Sequence, residues 1–402
     1  MDYNCTNNIL LEGRLASMNN FTFDIPTKIY FGAGQISHLA ELADAGRSVL
    51  MVYGGGSIKK NGIYDAAVKL LAESGVSIYE LPGVAPNPKI GLVRDGVSLC
   101  KKHDIDMILA VGGGSSIDCA KLVAAGACYD GDPWELMMDS SLITKALPIY
   151  VGLTLAATGS EMDNSTVISN PETKQKLDIA NNVLKPRMAV LDPEYTYSVP
   201  KSQTAAGSVD IMSHVFESYF TNTHGADIQA QMCLAILKTV VKNAPIAMEK
   251  PDDYDARANL MWCSSLALNG LLTLGAKVKW CVHPIEHELS AYYDITHGVG
   301  LAILTPVWME YILSDNTAPK LAEYGKAVWN ISDGCSDMEA AKLAIKRTRN
   351  FFESLGMPVA LAELGIGDEH FEAMADSAYG FCQGCYVPLS REDIVQIYRN
   401  AL

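Results

Sequence analysis

Between residues 28 and 191, short apolar runs alternate with longer stretches whose apolar residues recur every three to four positions. Ser48-Val-Leu-Met-Val-Tyr53 and Met107-Ile-Leu-Ala-Val111 are largely apolar runs of buried-strand length. Residues 28–31, 76–81, 148–155 and 188–191 are further strand candidates, and 35–45, 64–74, 91–103 and 117–127 carry the helical period. Strand and helix alternating at this spacing predict βαβ units and a parallel sheet. Beyond about Pro200 the texture changes. Residues 205–220, 227–241, 253–268, 320–329, 338–355 and 391–402 have helical length and period, and strand-like runs become scarce. The pattern predicts an N-terminal extension over 1–20, an α/β domain over 21–200 and an all-helical domain over 201–402, joined near Asp192-Pro193 to Pro200.

Composition narrows this picture. The chain has 402 residues, enough for two or three domains. Its 49% hydrophobic and 19% charged content argues against disorder and for large buried interiors or subunit contacts. No apolar run approaches the length of a transmembrane helix, and mean hydropathy is only +0.10. A net charge of −15 disfavours nucleic acid and anionic membrane surfaces as partners. Ten scattered cysteines, among them Cys119, Cys128, Cys233 and Cys263 in apolar surroundings, read as reduced, buried thiols of a cytoplasmic protein. The lone C-x-x-C, Cys382-Gln-Gly-Cys385, has no second pair and reads as structural. The first seventeen residues hold one basic residue, Arg14, and no apolar core, so they do not read as a secretory signal.

Two glycine turns carry candidate chemistry. Met107–Val111 runs into Gly112-Gly-Gly-Ser115-Ser116 and then a helix. Glycines allow close backbone approach, and a helix start offers free N–H groups to an anion. The turn departs from the G-x-G-x-x-G fingerprint, so it is Rossmann-like without being a standard Rossmann turn. Gly54-Gly-Gly-Ser57 follows the preceding strand and leads to Lys59 and Lys60. No acidic side chain stands where NAD-specific folds hold the ribose hydroxyls, which suits a 2′-phosphate and hence NADP(H). Thr154-Leu-Ala-Ala-Thr158-Gly-Ser160-Glu161 is a third loop rich in small hydroxyl residues, and Lys176 could reach cofactor hydroxyls or phosphates.

The helical half gathers metal-ligand side chains. Three of the eight histidines, His283, His287 and His297, fall within fifteen residues, and His214 follows Asp210 by four. Positions i and i+4 share a helix face, so Asp210 and His214 can address one point. One carboxylate with three imidazoles suits Fe(II), Zn(II), Co(II), Ni(II) or Mn(II), with a position left open for substrate. Spacing does not decide which of the three clustered histidines is spare. His38, His103, His224 and His370 lack such partners and read as ordinary structural histidines.

Taken in order, these motifs resemble the iron-containing (group III) alcohol dehydrogenase family, and within it the NADPH-dependent butanol dehydrogenase or aldehyde reductase branch. The resemblance is carried by Pro26-Thr-Lys-Ile-Tyr-Phe-Gly-Ala-Gly34, Pro86-Asn-Pro88, Gly112–Ser115, Leu153–Glu161, Val190-Leu-Asp-Pro193, Asp210-x-x-x-His214 and His283-x-x-x-His287 with His297. It spans about residues 21–400. It implies an N-terminal dinucleotide-binding domain, a C-terminal helical metal-binding domain and a site in the cleft between them. It further implies a divalent metal, Fe(II) with Zn(II) as the alternative, on Asp210, His214, His283 and His297, with His287 as the catalytic non-ligand near the nicotinamide. Cofactor contacts carried over are Gly55, Gly56, Ser57, Asn87, Gly113, Gly114, Ser115, Asp118, Thr154, Thr158 and Lys176. Glu286, between the two histidines, is a local departure expected to point to solvent. The implied function is reversible hydride transfer between NADP(H) and a small primary alcohol or aldehyde, in a homodimer. The alternatives are a related polyol dehydrogenase, a dehydroquinate-synthase-like lyase, or a non-enzymic metal-binding sensor.

Overall fold

The computed structural model describes residues 17–402. Most of the N-terminal extension therefore lies outside the described residues. Eight strands form β1 (Lys28–Phe31), β2 (Ser48–Tyr53), β3 (Ser77–Leu81), β4 (Met107–Gly112), β5 (Ile149–Leu153), β6 (Ser165–Asn170), β7 (Gln175–Ala180) and β8 (Met188–Leu191). Six of them make one parallel sheet in the order β1-β8-β5-β4-β2-β3. The sheet is buried on both faces, which is why its strands are continuous apolar runs rather than alternating ones. Leu50, Val52, Ile108, Ala110 and Val151 enter one core, while Val49, Met51, Met107, Leu109 and Val111 enter the other.

The predicted strands and helices of this Rossmann-like domain are present, with two differences. The helix after β4 begins at Gly114, not at residue 117, so the glycine–serine turn is itself the first helical turn. In addition, β6 and β7 form an antiparallel hairpin that the sequence reading did not propose. Beyond β8 the chain is helical. The Lys201–Tyr219 helix is its axis, buried continuously from Thr204 to Tyr219. Two glycines let neighbours close on it. A Cβ at Gly207 would collide with the Ala156 carbonyl, and one at Gly298 with the Ala206 carbonyl. The second contact seats the His297–Tyr311 helix directly against the axis. Among the described residues, no helix is long and apolar enough to cross a membrane. Cys128 is exposed, contrary to its apolar surroundings in sequence, because it lies just past the end of the Gly114–Gly126 helix.

Candidate active site

In the sheet, β2 has β3 on one side and β4 on the other. Connections reverse direction there, and open parallel sheets bind ligands outside the strand ends at such a reversal. The two glycine turns leave β2 and β4 at that place. A cavity of about 280 Å³ lies over them, lined by Gly54, Ser57, Gly113, Gly114, Ser115 and Thr154 among others. A Cβ on Gly114 would collide with the Thr158 side chain, whereas one on Gly55 would meet nothing within 4 Å. Gly56 has φ +98, a backbone conformation that favours glycine. Bare backbone, hydroxyls and the start of the Gly114–Gly126 helix suit a pyrophosphate.

Ser115 also lines a second cavity of about 110 Å³, shared with Asn87, Asp118, Thr158, Lys176 and the histidines 214, 283, 287 and 297. The cavity over the glycine turns and the cavity of the histidines thus adjoin at Ser115. Several of the predicted cofactor residues carry structural bonds as well. Both Asp118 oxygens are engaged, one by the Ser160 hydroxyl at 2.6 Å and one by the Val167 amide at 3.2 Å. Burial pushes that carboxyl up to about 7. Asn87 donates across the cleft to Asp294 Oδ1 at 3.1 Å and to the Ile295 carbonyl at 3.0 Å, and Lys89 pairs with Asp294 at 2.6 Å. Beneath Thr158, the fully buried Lys121 ties down the loop through Asp163, Ser160 and the Ser165 carbonyl.

On the helical side three ring nitrogens face one oxygen. Asp210 Oδ1 lies 3.7 Å from His214 Nε2, 3.8 Å from His283 Nε2 and 3.7 Å from His297 Nε2. These distances are too long for hydrogen bonds. Asp210 Oδ1 and His283 Nε2 are buried without a partner among the described residues. A buried carboxylate oxygen and a buried ring nitrogen are costly to leave unpaired. A shared divalent cation would satisfy both, and one carboxylate with three imidazoles is a fitting donor set. Burial opposes charge on Asp210, yet the facing imidazoles, His214 foremost, hold its carboxyl down at about 2. Burial also takes His214 down to about 4 and holds His287 and His297 well below the usual imidazole range, with Lys176 adding to the effect on the last two. These shifts favour the neutral, lone-pair-donating ring at His214, His287 and His297, whereas at His283 burial is outweighed by Asp210 and Glu217, which raise the ring to about 9. His287 lines both this cavity and a neighbouring one, beside His297.

Two carboxylates that the sequence reading did not use stand behind the rings. Glu217 accepts from the backbone amides of Cys281, Val282 and His283 at 2.9, 2.9 and 3.0 Å, and contacts His283 Nδ1 at 3.1 Å. It therefore caps the Val282–Tyr293 helix and turns His283 Nε2 towards Asp210. A signal existed: Asp210, His214 and Glu217 fall at i, i+4 and i+7 on one helix face. Glu286 corrects an expectation. It is fully buried rather than turned to solvent, and it contacts His297 Nδ1 and Lys176. Lys176 is itself buried in this cluster. Below the site, the thiols of Cys382 and Cys385 are buried against backbone carbonyls of Cys281, Cys382 and Val387.

Comparison with known proteins adds independent findings. Residues 26–193 match the family described as iron-containing alcohol dehydrogenase, and residues 204–402 match its C-terminal domain. The chain is 54% identical to NADH-dependent butanol dehydrogenase A of Clostridium acetobutylicum over 96% of this chain and 100% of that one. It is 40% identical to NADPH-dependent aldehyde reductase YqhD of Escherichia coli over 89% of this chain and 92% of that one. The crystal structure of NADH-dependent butanol dehydrogenase A from Thermotoga maritima superposes with a TM-score of 0.91 at 40% identity, covering 96% of this chain and 99% of that one.

Proposed function

The chain belongs to the iron-containing alcohol dehydrogenase family, and from that premise we propose that it transfers hydride reversibly between NADP(H) and a small primary alcohol or aldehyde such as butanol or butanal. The observation that carries the reading is Ser115, which lines both the cavity over the glycine turns and the cavity of the histidines. One cleft thereby offers an anion cradle and a cation donor set side by side.

In this reading Asp210, His214, His283 and His297 hold Fe(II), or Zn(II) in its place. A bound cation supplies Lewis acidity to the carbonyl oxygen, and a bound nicotinamide supplies or accepts the hydride. Gly55, Gly56, Ser57, Gly113, Gly114, Ser115 and Thr154 cradle the cofactor phosphates and ribose. Thr158, Asp118, Asn87 and Lys176 shape the passage from there to the imidazoles. His287, neutral and open to two cavities, takes or hands on the alcohol proton. The cavity on its other side, about 320 Å³, sets the apolar Leu177, Val278, Trp280, Pro284 and Phe381, which suit a short apolar chain, beside polar residues that include Asp178, Lys279, Glu288 and Ser377.

The NADP(H) preference rests on Gly55 and the absence of an acidic side chain at the exit of β2. A second reading, NADH use, has its own observation. Lys59, one of the cations available to a 2′-phosphate, lies 3.6 Å from Glu80, whose carboxylate also binds the Tyr53 and Tyr64 hydroxyls. The curated relatives include proteins named for each cofactor. We further propose a cytoplasmic homodimer. The edge of β1, unpaired among the described residues, with exposed Phe31 and neighbouring Trp262, offers an apolar surface for a second copy.

The test is anaerobic oxidation of NADPH and NADH with butanal and an aldehyde panel, alongside metal analysis. Turnover should scale with bound metal. A metal-loaded protein inert towards every aldehyde would overturn the reading and favour a sensor. For the cofactor, Gly55→Asp should shift the NADPH/NADH ratio of kcat/KM at least about tenfold towards NADH. An unmoved ratio would count against a 2′-phosphate site at this turn.

A further inference from the structure

Glu286 is the least expected charge in the molecule. Its side chain is fully buried, on a helix whose neighbouring turns carry His283 and His287. A buried carboxylate is tolerated only when it is paired and hydrogen-bonded. Among the described residues Glu286 has three partners, and none is a backbone amide. Oε1 accepts from Ser290 Oγ at 2.5 Å. Oε2 meets His297 Nδ1 and lies 3.6 Å from Lys176 Nζ, which is itself 3.5 Å from that ring nitrogen. The structure also keeps room for it. A Cβ on Gly300 would come within 2.7 Å of Glu286 Cγ and Oε1. The space admits the Glu286 side chain reaching back towards His297, one turn before Gly300 on the adjacent helix.

Glu217 makes an instructive contrast. Three of its four contacts are backbone amides at a helix start, so its work is largely architectural. Glu286 spends its contacts on side chains that face the cleft. His297 is also the most open of the three rings about Asp210, with 22% of its side chain exposed against 5% for His214 and 2% for His283. Packing alone restrains it least.

We propose that Glu286 is a positioning residue. It accepts a hydrogen bond from the Nδ1–H of His297, so that the Nε2 lone pair faces Asp210, and it anchors the Lys176 ammonium beside the same ring. Outer carboxylates of this kind fix both tautomer and orientation of a ligating imidazole. The inference rests on reading Asp210, His214, His283 and His297 as a cation site. Its partner is Gly300, which acts by having no side chain.

The test is Co(II) titration of the full-length metal-free protein, followed by its visible absorption bands. Asp210→Ala serves as the control. Glu286→Ala should weaken Co(II) binding about 10–100-fold and alter the band intensities. Glu286→Gln, whose amide oxygen can still accept from Nδ1, should stay within about threefold of wild type. Gly300→Ala should reproduce the loss by displacing an intact Glu286. Added to Glu286→Ala, it should cost little more, because the displaced group is gone. Co(II) binding by Glu286→Ala within about twofold of wild type, with Asp210→Ala defective, would overturn the positioning role and leave the site reading intact. A glutamine variant as weak as the alanine would also overturn it. Wild-type binding by Asp210→Ala would instead defeat the underlying site. If Glu286→Ala does not fold, unimpaired binding by Gly300→Ala is enough to sink the proposal.

Discussion

The two sides of the cleft are made of different material. On the glycine side, Gly54–Ser57 and Gly112–Ser116 present backbone, small hydroxyls and a helix start, and shape comes from side chains that are missing. On the imidazole side, one carboxylate oxygen faces three rings at 3.7 to 3.8 Å, and a further carboxylate stands behind each of two of those rings. In the proposed reading the first surface receives a ligand through fit, and the second receives one through charge and lone pairs already held in place. A substitution on the glycine side should act by adding bulk, while one on the imidazole side should act by removing an electron donor.

The largest effect expected from this contrast is at His214. His214→Ala should lower kcat/KM with butanal by at least about 10³-fold, several kcal/mol of lost Lewis-acid assistance, together with metal content. Nicotinamide affinity, followed by fluorescence, should stay within about twofold of wild type. A parallel collapse of cofactor binding would mean that the two sides are not separable. Gly114→Ala is the converse experiment. Its new methyl strikes Thr158, so cofactor affinity should fall by about 10²-fold with metal content unchanged. Adding Thr158→Ala should recover part of the loss. No recovery would argue that glycine is needed at that position for something other than space.

The smallest effect is on stability, at the seam between the two halves. Glu161 is fully buried below the hydroxyl-rich loop and receives the Ser265 hydroxyl from the Tyr254–Leu268 helix. Burial raises its carboxyl from 4.5 to about 7, and the Ser265 bond only partly offsets this. Between those values the folded chain holds a proton that the unfolded chain has released, so this group's contribution to stability falls as pH rises from about 4.5 to 7. Glu161→Gln should therefore be the more stable protein at pH 8, by about 2 kcal/mol, and lose that advantage near pH 4. Urea unfolding at both pH values measures it. Equal stability at pH 8 would show that the carboxylate finds compensation in the folded state.

The same contrast explains what could be read in advance. The central strands were legible because a doubly covered sheet needs unbroken apolar runs, and Ser48–Tyr53 and Met107–Gly112 supply them. The glycine turns were legible because their chemistry is local. The β6–β7 hairpin is hard to read in the sequence, since only alternation over six-residue strands marks it. The His297–Tyr311 helix is hard to read for the opposite reason. It is apolar nearly all round and holds Pro306, so no face stands out. At the site, Asp210 with His214 could be paired from spacing, and Glu217 could have been added from the same helix face. Glu286 could not. A charged residue on a helix normally faces water, and its partners include Lys176 from the hairpin and the space left at Gly300. Those relations exist only once the chain is folded.

The sheet's first strand has a consequence for how the molecule is made. Lys28 pairs with Met188, and among the described residues β1 has no other neighbour in the sheet. A strand synthesised about 160 residues before its partner must therefore wait for the last strand of the sheet. At a synthesis rate of roughly 5–20 residues per second, that wait lasts on the order of ten seconds or more. Throughout it, the unpaired edge and its apolar side chains are available to other chains. The slowest-closing contact of the sheet is thus set by topology, and the nascent protein is most vulnerable to misassembly just before Leu191 emerges.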